Sequence, residues 1–249
     1  MRRFFLFMLL LCVTTACDRG TSSLAIGAAA PDFSLRGADG QTHTLAEFAA
    51  SPVLAVVFTC NHCPAAQRAE AALTALSDTY RGRGLAIVAI NPNNAGAMRF
   101  EDLAFSDVGE SLDDMKTRAE FAHFDFPYLS DGDTQALTKQ YGVIATPQVF
   151  VFDRDRKLRY QGRVDGEEAR AAIEALTAGR AVATTETTVD GCPVVGQADG
   201  GKADAERKAI DAEYTGERKR LAKLRQAEEA KVLKLLKPEQ QKAWAALGK

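Results

Sequence analysis

The chain has 249 residues, 46% of them hydrophobic and 26% charged, which allows one good-sized domain with additional material or two small domains. The formal net charge of −2 excludes a global positive field that would attract nucleic acid. The charge is uneven, since residues 199–249 carry 13 basic and 9 acidic side chains, and we interpret this basic tail as a solvated helix.

The first residues have the pattern of a secretory signal. Arg2 and Arg3 precede an apolar run at 4–13, and small residues then lead to Cys17. The run is too short for an ordinary membrane-spanning helix. Because Thr-Thr-Ala before Cys17 resembles a bacterial lipoprotein cleavage box, we predict a signal peptide at 1–17 with a lipidated Cys17. The mature protein is then expected in the periplasm or cell envelope, anchored to the membrane; cleavage nearby would instead give a secreted protein.

The next segments predict a tether and the beginning of a domain. Residues 18–30 are small and polar, as in a tether. A short strand pair is predicted around Gly37 and Gly40, followed by a short helix from Leu45. Residues 53–58 form a continuous apolar run rich in β-branched side chains, which is typical of a strand covered on both faces.

A helix and a second buried strand follow. Apolar side chains at helical spacing predict a helix after Cys63, and Gly82 and Gly84 end it. Residues 85–91 form another apolar run. Strand, helix and strand at this spacing predict a right-handed crossover with two parallel strands.

The second half of the domain continues this alternation. The predicted elements are a helix from Ser111 to about His123, a short strand in "FPYLSD", a helix from near Asp133 to Gly142, a hairpin of 149–152 with 158–162, and a helix that ends at Gly179. We therefore predict one α/β domain over 31–179.

The C-terminal part differs in composition. Residues 180–201 are rich in threonine and glycine, which predicts a linker holding Cys192. Residues 202–249 are charged and helical in pattern, with an interrupted apolar stripe. A coiled-coil dimeriser, a helix folded back over the domain and a membrane-facing segment are all compatible with this tail.

The cysteine pair in "TCNHCP" has the chemistry of a redox centre. Cys60 follows a buried strand and Cys63 begins a helix, so Cys60 lies near the positive end of the helix dipole, where a thiolate is favoured. Cys63, one turn further on, is placed to resolve a mixed disulfide. His62 adds positive charge beside the Cys60 sulfur, which would make the disulfide more oxidising. Pro147 opens the hairpin strand, a positional feature for proline.

At these residues the sequence resembles the thioredoxin-like superfamily, in particular its exported redoxin branch, which includes proteins similar to alkyl hydroperoxide reductases. The resemblance extends over 26–177. It depends on a strand followed by "CNHC" and a helix, and on "AINPN", "FPYLSD" and "YGVIATPQVFVFD". It implies a thioredoxin fold, with a central mixed sheet flanked by helices, and here with a helical C-terminal extension.

The resemblance also implies roles for individual residues. Cys60 attacks and Cys63 resolves, so the reactive group is a Cys60–Cys63 disulfide and no other cofactor is needed. Pro147 is expected to be cis and to pack beside the pair, and Thr146 to offer its backbone to a bound peptide. The dipeptide Asn61-His62 replaces the Gly-Pro of thioredoxin, which leaves the direction of electron flow open.

Several alternatives remain at this point. A Cys60–Cys63 bond closes too small a loop to be a useful staple. A copper site would use Cys60, Cys63 and a distant histidine, but the related copper-delivery proteins of this fold space their cysteines one residue wider. A structural zinc site would need four ligands, and the sequence has no second Cys-X-X-Cys, so no metal is predicted. A thiol peroxidase, with antioxidant activity, would oxidise Cys60 or Cys63 and use Cys192 as the resolving thiol. Cys192 is otherwise a spare thiol.

The sequence therefore predicts an exported thiol–disulfide oxidoreductase that exchanges disulfides with protein thiols. Its expected partners are client proteins, an upstream electron donor or acceptor and, through the lipid, a membrane. Self-association through the C-terminal helix is a further hypothesis. The rival from another class is a non-catalytic envelope protein, in which the tail binds a partner and the domain is a scaffold.

Overall fold

The computed structural model describes residues 23–99, 101–104, 106 and 108–196, together with positions 220, 223, 224, 227, 231, 234–237 and 240. The chain divides into two compact units, 1–196 and 197–249. The signal peptide and Cys17 lie outside the described residues, so their predictions stay predictions. Among the described residues there is no helix whose length and apolar content would let it cross a membrane.

The first unit has the predicted alternation of strands and helices. Its helices are α1 (Pro64–Tyr80), α2 (Leu112–Phe121), α3 (Ala136–Tyr141) and α4 (Glu167–Thr177), with short 3₁₀ turns at Leu45–Phe48, Arg81–Arg83, Ala95–Ala97 and Glu101–Leu103. Its strands are β1 (Ser34–Gly37), β2 (Thr42–Thr44), β3 (Val53–Phe58), β4 (Leu85–Asn91), β5 (Tyr128–Ser130), β6 (Ala145–Thr146), β7 (Gln148–Phe152), β8 (Leu158–Gly162) and β9 (Cys192–Pro193).

Seven of these strands form one mixed sheet in the order β2-β1-β5-β4-β3-β7-β8. β3 and β4 are parallel, as the crossover prediction requires, and β3 and β7 are antiparallel. Strand β3, which lies between β4 and β7, is buried along its whole length, with alternate residues facing two hydrophobic clusters. The predicted thioredoxin-like α/β domain, with a central mixed sheet flanked by helices, is confirmed.

The two clusters explain why the sheet is covered on both faces. Val53, Ala55 and Val57 of β3 pack in the same cluster as apolar residues of α1 and α4. Leu54, Val56 and Phe58 of β3 pack in the other cluster, together with Tyr141 at the end of α3. Continuous apolar strands of this kind are expected where helices cover both sides of a sheet.

The described parts of two segments predicted to be free of the domain, 23–30 and 180–196, are hydrogen-bonded to it. Backbone N–H groups of Leu24 and Gly27, in the predicted tether 18–30, donate to Tyr141 and Leu158. In the predicted linker 180–201, Thr185 accepts from Gln161 and β9 pairs with β6. For Gly27 and Thr185 the physical reason is that β8 is an edge strand, so these segments satisfy backbone groups that the sheet leaves unpaired.

Two helices are shorter than the sequence predicted. α2 begins at Leu112, after the expected capping box at Ser111, but ends at Phe121 rather than His123, which has a positive φ of 54°. α3 begins at Ala136, because the backbone of Gln135 is left-handed (φ 53°) and cannot be part of a right-handed helix.

An ion pair joins α1 and α2. Arg118 of α2 donates two hydrogen bonds of 2.7 Å to Glu70 of α1.

The second unit is described only at scattered positions. Those at 220, 223, 224, 227, 231, 234 and 235 are helical, as the tail's sequence pattern predicted. Leu224 and Leu235 are exposed. The predicted coiled coil lies mostly on residues outside the described set and stays a prediction.

Candidate active site

The two cysteines of the motif lie in the loop that joins β3 to α1. β3 ends at Phe58, and Cys63 is the N-cap of α1, whose first residue is Pro64. Proline suits this position because its missing N–H would have no partner in the helix. Cys60 and Cys63 are 2% and 0% exposed. Cys60 therefore lies at the carboxyl ends of the parallel strands, just before the helix, where the sequence placed it.

The disulfide differs from the one expected. The structure bonds Cys63 to Cys192, with 5.8 Å between their Cα atoms, and leaves Cys60 as a free, buried thiol. The predicted Cys60–Cys63 disulfide is thus not the bond in this structure, and Cys192 is not a spare thiol. The reason is a strand pairing that spacing does not reveal: Cys192 lies opposite Thr146 in the β6–β9 pair, which brings it to the start of α1.

The Thr146-Pro147 segment lies directly beside both sulfurs. Its peptide bond is cis, as the resemblance implied. Thr146 Oγ1 is 3.0 Å from the Cys60 sulfur, and the Thr146 carbonyl oxygen is 3.4 Å from the Cys63 sulfur. One fully buried residue therefore contacts the free thiol through its hydroxyl group and the bonded sulfur through its backbone.

A carboxylate that the sequence did not single out lies at the centre of the site. Glu110 is 3% exposed, and its Oε1 is 2.6 Å from Nδ1 of His62. The backbone N–H groups of Asn61 and His62 donate to the same oxygen, at 3.0 and 2.9 Å. The side chain of Asn91 donates to the other oxygen. Glu110 thereby fixes the conformation of the dipeptide between the cysteines.

The position of His62 determines its charge. Burial disfavours the protonated ring, but hydrogen bonds to Cys60 and Glu110, together with their negative charges, outweigh this and raise the pKa of His62 to about 10. The ring is therefore an imidazolium at neutral pH. A positively charged ring therefore lies within 4.8 Å of the Cys60 sulfur.

Asn61 is held by a second set of hydrogen bonds. Its side-chain amide donates to the Gly109 carbonyl at 2.6 Å and accepts from the Tyr128 hydroxyl at 3.1 Å. Gln67 of α1 donates to the Asn61 carbonyl at 2.8 Å. Burial and the charges of Glu110 and Cys60 raise the pKa of Tyr128, so it remains a neutral donor. The loop is thus rigidly oriented around the sulfurs.

The structure also bears on the metal hypotheses. Ligand atoms of Cys60, His62 and Glu110 lie within 4.8 Å of one another. Glu110 already accepts four hydrogen bonds, so these groups form a hydrogen-bonded ion-pair network. The ligands of the alternative copper site are engaged elsewhere, since Cys63 is in the disulfide and His43, one candidate for its histidine, binds Asp39 and Glu47.

Some of these residues were visible in the sequence and others were not. Asn91 and Tyr128 lie within "AINPN" and "FPYLSD", which carried the resemblance without a role for either residue. Glu110 directly precedes the N-cap of α2, so the capping box at Ser111 marked its neighbourhood but not its function. Only the approach of this segment to the cysteine loop identifies the carboxylate.

Comparison with known proteins found a matching family and a similar protein. The model of the AhpC/TSA family matches residues 26–161. The thiol–disulfide oxidoreductase ResA of Geobacillus thermodenitrificans (strain NG80-2) is 26% identical over 157 residues, which is 62% of this chain and 80% of that protein.

Two solved structures are similar over most of their length. A hypothetical protein of Sinorhizobium meliloti 1021 is 37% identical, covers 71% of this chain and 97% of its own, and gives a TM-score of 0.64. A conserved protein of Geobacillus kaustophilus is 32% identical, covers 71% and 94%, and gives 0.63.

Proposed function

Since the chain belongs to the AhpC/TSA family, we propose that within it the protein acts as an exported thiol–disulfide oxidoreductase. One observation carries the proposal: the free Cys60 sulfur lies 3.0 Å from the Thr146 hydroxyl oxygen and within 4.8 Å of a ring nitrogen of the charged His62, in the same loop as a cysteine already engaged in a disulfide. The similarity to ResA supports the same class of reaction.

The reaction follows from the placement of the two sulfurs. The Cys60 thiolate attacks one sulfur of a client disulfide, and the other client sulfur leaves as a thiolate and takes a proton from solvent. Cys63, once free, then attacks the Cys60 sulfur of the mixed disulfide and releases the second client thiol. Two electrons pass from Cys60 and Cys63 to the client, and a partner dithiol restores them. The reverse sequence oxidises a client.

Two observations support a location outside the cytosol. The N-terminal pattern is that of a secretory signal, and the structure contains a disulfide, which persists in oxidising compartments.

We extend the proposal to a lipid anchor on Cys17 and to self-association through the tail. A Cys17→Ala variant should lose incorporation of labelled fatty acid and appear in the soluble envelope fraction, and a chain ending at residue 196 should lose self-association.

The test of the reaction is reduction of insulin by the full chain with a dithiol donor. Cys60→Ser should abolish catalysis, because no nucleophile remains, whereas Cys63→Ser should accumulate mixed disulfides on Cys60. Turnover by Cys60→Ser equal to that of the wild type, or no turnover above the dithiol alone, would defeat the proposal. Consumption of peroxide that depends on Cys60, without insulin reduction, would assign a thiol peroxidase instead.

A further inference from the structure

The segment 191–195, called the strap below, lies where an extended peptide would be expected to bind. β9 of the strap pairs antiparallel with β6, and Cys192 is opposite Thr146, the residue before the cis proline. Val194 N–H donates to the Ile144 carbonyl at 3.0 Å. Addition of a strand to an exposed edge is a general mode of peptide recognition, in which backbone hydrogen bonds supply affinity.

The far end of the strap is held by hydrogen bonds, with Val194 partly buried against one hydrophobic cluster. Val195 N–H donates to Oδ1 of Asn93 at 2.8 Å, and its carbonyl accepts from Gln135 Nε2 and from the Asn94 N–H, both at 3.0 Å. The strap residues are exposed or half-buried. A segment that is only partly buried opens more readily than the fully buried strands around it.

The approach of the strap to β6 leaves no room for a side chain before the cysteine. A Cβ atom on Gly191 would lie 1.9 Å from the Thr146 carbonyl oxygen and 3.2 Å from the Pro147 nitrogen. Both are backbone atoms, which cannot move aside as a side chain can. A peptide that binds in the same register therefore needs glycine immediately before its cysteine.

We propose that the backbone of the strap occupies the edge at which a client peptide pairs, and that Cys192 is a third redox cysteine which keeps this edge covered while it is bonded to Cys63 rather than, as a client would be, to Cys60. The inference rests on the proposed function for its client chemistry. It adds that preferred clients present an extended Gly-Cys segment, and that the edge is closed or open according to which disulfide is present.

The exchange that opens the edge is balanced within the chain. The Cys60 thiolate attacks the Cys63 sulfur, the Cys63–Cys192 bond breaks as the Cys60–Cys63 bond forms, and Cys192 leaves as a thiolate that takes a proton from solvent. No net oxidation or reduction occurs, so no further reactant is needed. Thr146, which contacts both Cys60 and Cys63, places the attacking and attacked sulfurs beside the same backbone segment.

Hydrogen exchange of the full chain tests release of the strap without any client. The Val194 and Val195 amides, which are bonded in this structure, should exchange at least about tenfold faster after reduction or in Cys192→Ser, while the amides of β7 stay protected. Equal exchange in the oxidised and reduced proteins would overturn the proposal, whether or not the protein reduces insulin. Release of the strap in a protein that never exchanges with clients would defeat only the proposed function.

Synthetic peptides test the register. The thiolate of the peptide of residues 188–196, TVDGCPVVG, should attack the Cys60–Cys63 disulfide of oxidised Cys192→Ser protein, forming a mixed disulfide on Cys60 and releasing the Cys63 thiolate. This should occur at least about tenfold faster than with TVDACPVVG, because the alanine methyl meets the Thr146 carbonyl oxygen. The wild type, with its edge covered, should capture the first peptide more slowly than Cys192→Ser does. Equal rates for the two peptides, or for the two proteins, would contradict the proposal.

A substitution in the chain itself provides the matched comparison. Gly191→Ala should lower the fraction of Cys63–Cys192 bond found by peptide mapping, with Cys60–Cys63 taking its place. Gly82→Ala is the control, since a Cβ atom there meets nothing within 4 Å. An unchanged Cys63–Cys192 fraction in folded Gly191→Ala would count against the inference; if that variant fails to fold, the peptide comparison decides.

Discussion

Nδ1 of His62 lies 2.6 Å from Oε1 of Glu110, and both side chains are withdrawn from water. The pair joins the loop between β3 and α1 to the segment that precedes α2. Because a ring nitrogen of His62 also lies within 4.8 Å of the Cys60 sulfur, the charge of Glu110 acts on the sulfur through the imidazolium. Glu110 is therefore a positioning residue for the proposed nucleophile.

Replacing Glu110 tests this relationship. Glu110→Gln removes the negative charge that keeps His62 protonated. It also leaves the buried N–H groups that now donate to Glu110 imperfectly paired. We expect the alkylation rate of Cys60 near neutral pH to fall about tenfold and the free energy of unfolding to fall by about 1–3 kcal/mol. The pH profile of alkylation should move to higher pH, a change that a merely structural role would not produce.

The control for that variant is Glu120→Gln, an exposed glutamate in α2. It should leave both the alkylation profile and the unfolding curve close to those of the wild type. A Glu110→Gln protein that lost stability but kept the wild-type pH profile would show that Glu110 supports the loop without acting on the sulfur.

The raised pKa of His62 also predicts how stability depends on pH. The folded protein keeps this proton up to about pH 10, whereas the unfolded chain releases it near 6.5. Since the folded state binds more protons in this window, the contribution is complete below about pH 6.5 and is lost as the pH rises to about 10. Urea unfolding across the window should show a steeper loss for the wild type than for His62→Gln.

His43 provides a comparison for that measurement. Its pKa is also raised: burial opposes the charged ring, but Asp39 and Glu47 outweigh it, and both hydrogen bonds lie at the surface. Because water and salt screen such pairs, His43→Gln should change the slope less than His62→Gln does. Equal slopes for the wild type and His62→Gln would show that His62 is neutral in the folded protein.

The Thr146 hydroxyl group gives a third prediction. Thr146→Val keeps the shape of the side chain but removes the 3.0 Å contact with the Cys60 sulfur. One such hydrogen bond contributes about 1 kcal/mol, so we expect disulfide exchange to slow about fivefold, measured by insulin reduction. Thr79→Val, at an exposed position in α1, should leave the rate unchanged. A Thr146→Val rate equal to that of the wild type would show that the hydroxyl group does not assist Cys60.

The Cys63–Cys192 bond should also stabilise the fold. It joins residues 129 positions apart, and a closed loop of that length reduces the entropy of the unfolded chain. Under oxidising conditions we expect Cys192→Ser to lower the free energy of unfolding by about 4 kcal/mol, measured by urea titration. In the presence of a dithiol the wild type and the variant should unfold together. A difference that persisted under reduction would point to a packing role for Cys192.

Much of the fold followed from local patterns. The apolar run of β3, the glycines after α1 and the capping box at Ser111 each predicted an element that the structure contains, because strand burial, helix termination and capping depend on nearby residues. The ends of α2 and α3 were less accurate. They depend on left-handed residues such as His123 and Gln135, whose conformations the sequence pattern did not indicate.

The sequence by itself determined that Cys60 and Cys63 share a loop between a buried strand and a helix, with His62 between them, because residues so close along a chain remain close in any fold. Only the tertiary structure decided their partners. Glu110 reaches His62 from a segment 48 residues away, and Cys192 reaches Cys63 through the pairing of β9 with β6. Contacts of this kind depend on how distant segments pack, and neither composition nor spacing encodes that packing locally.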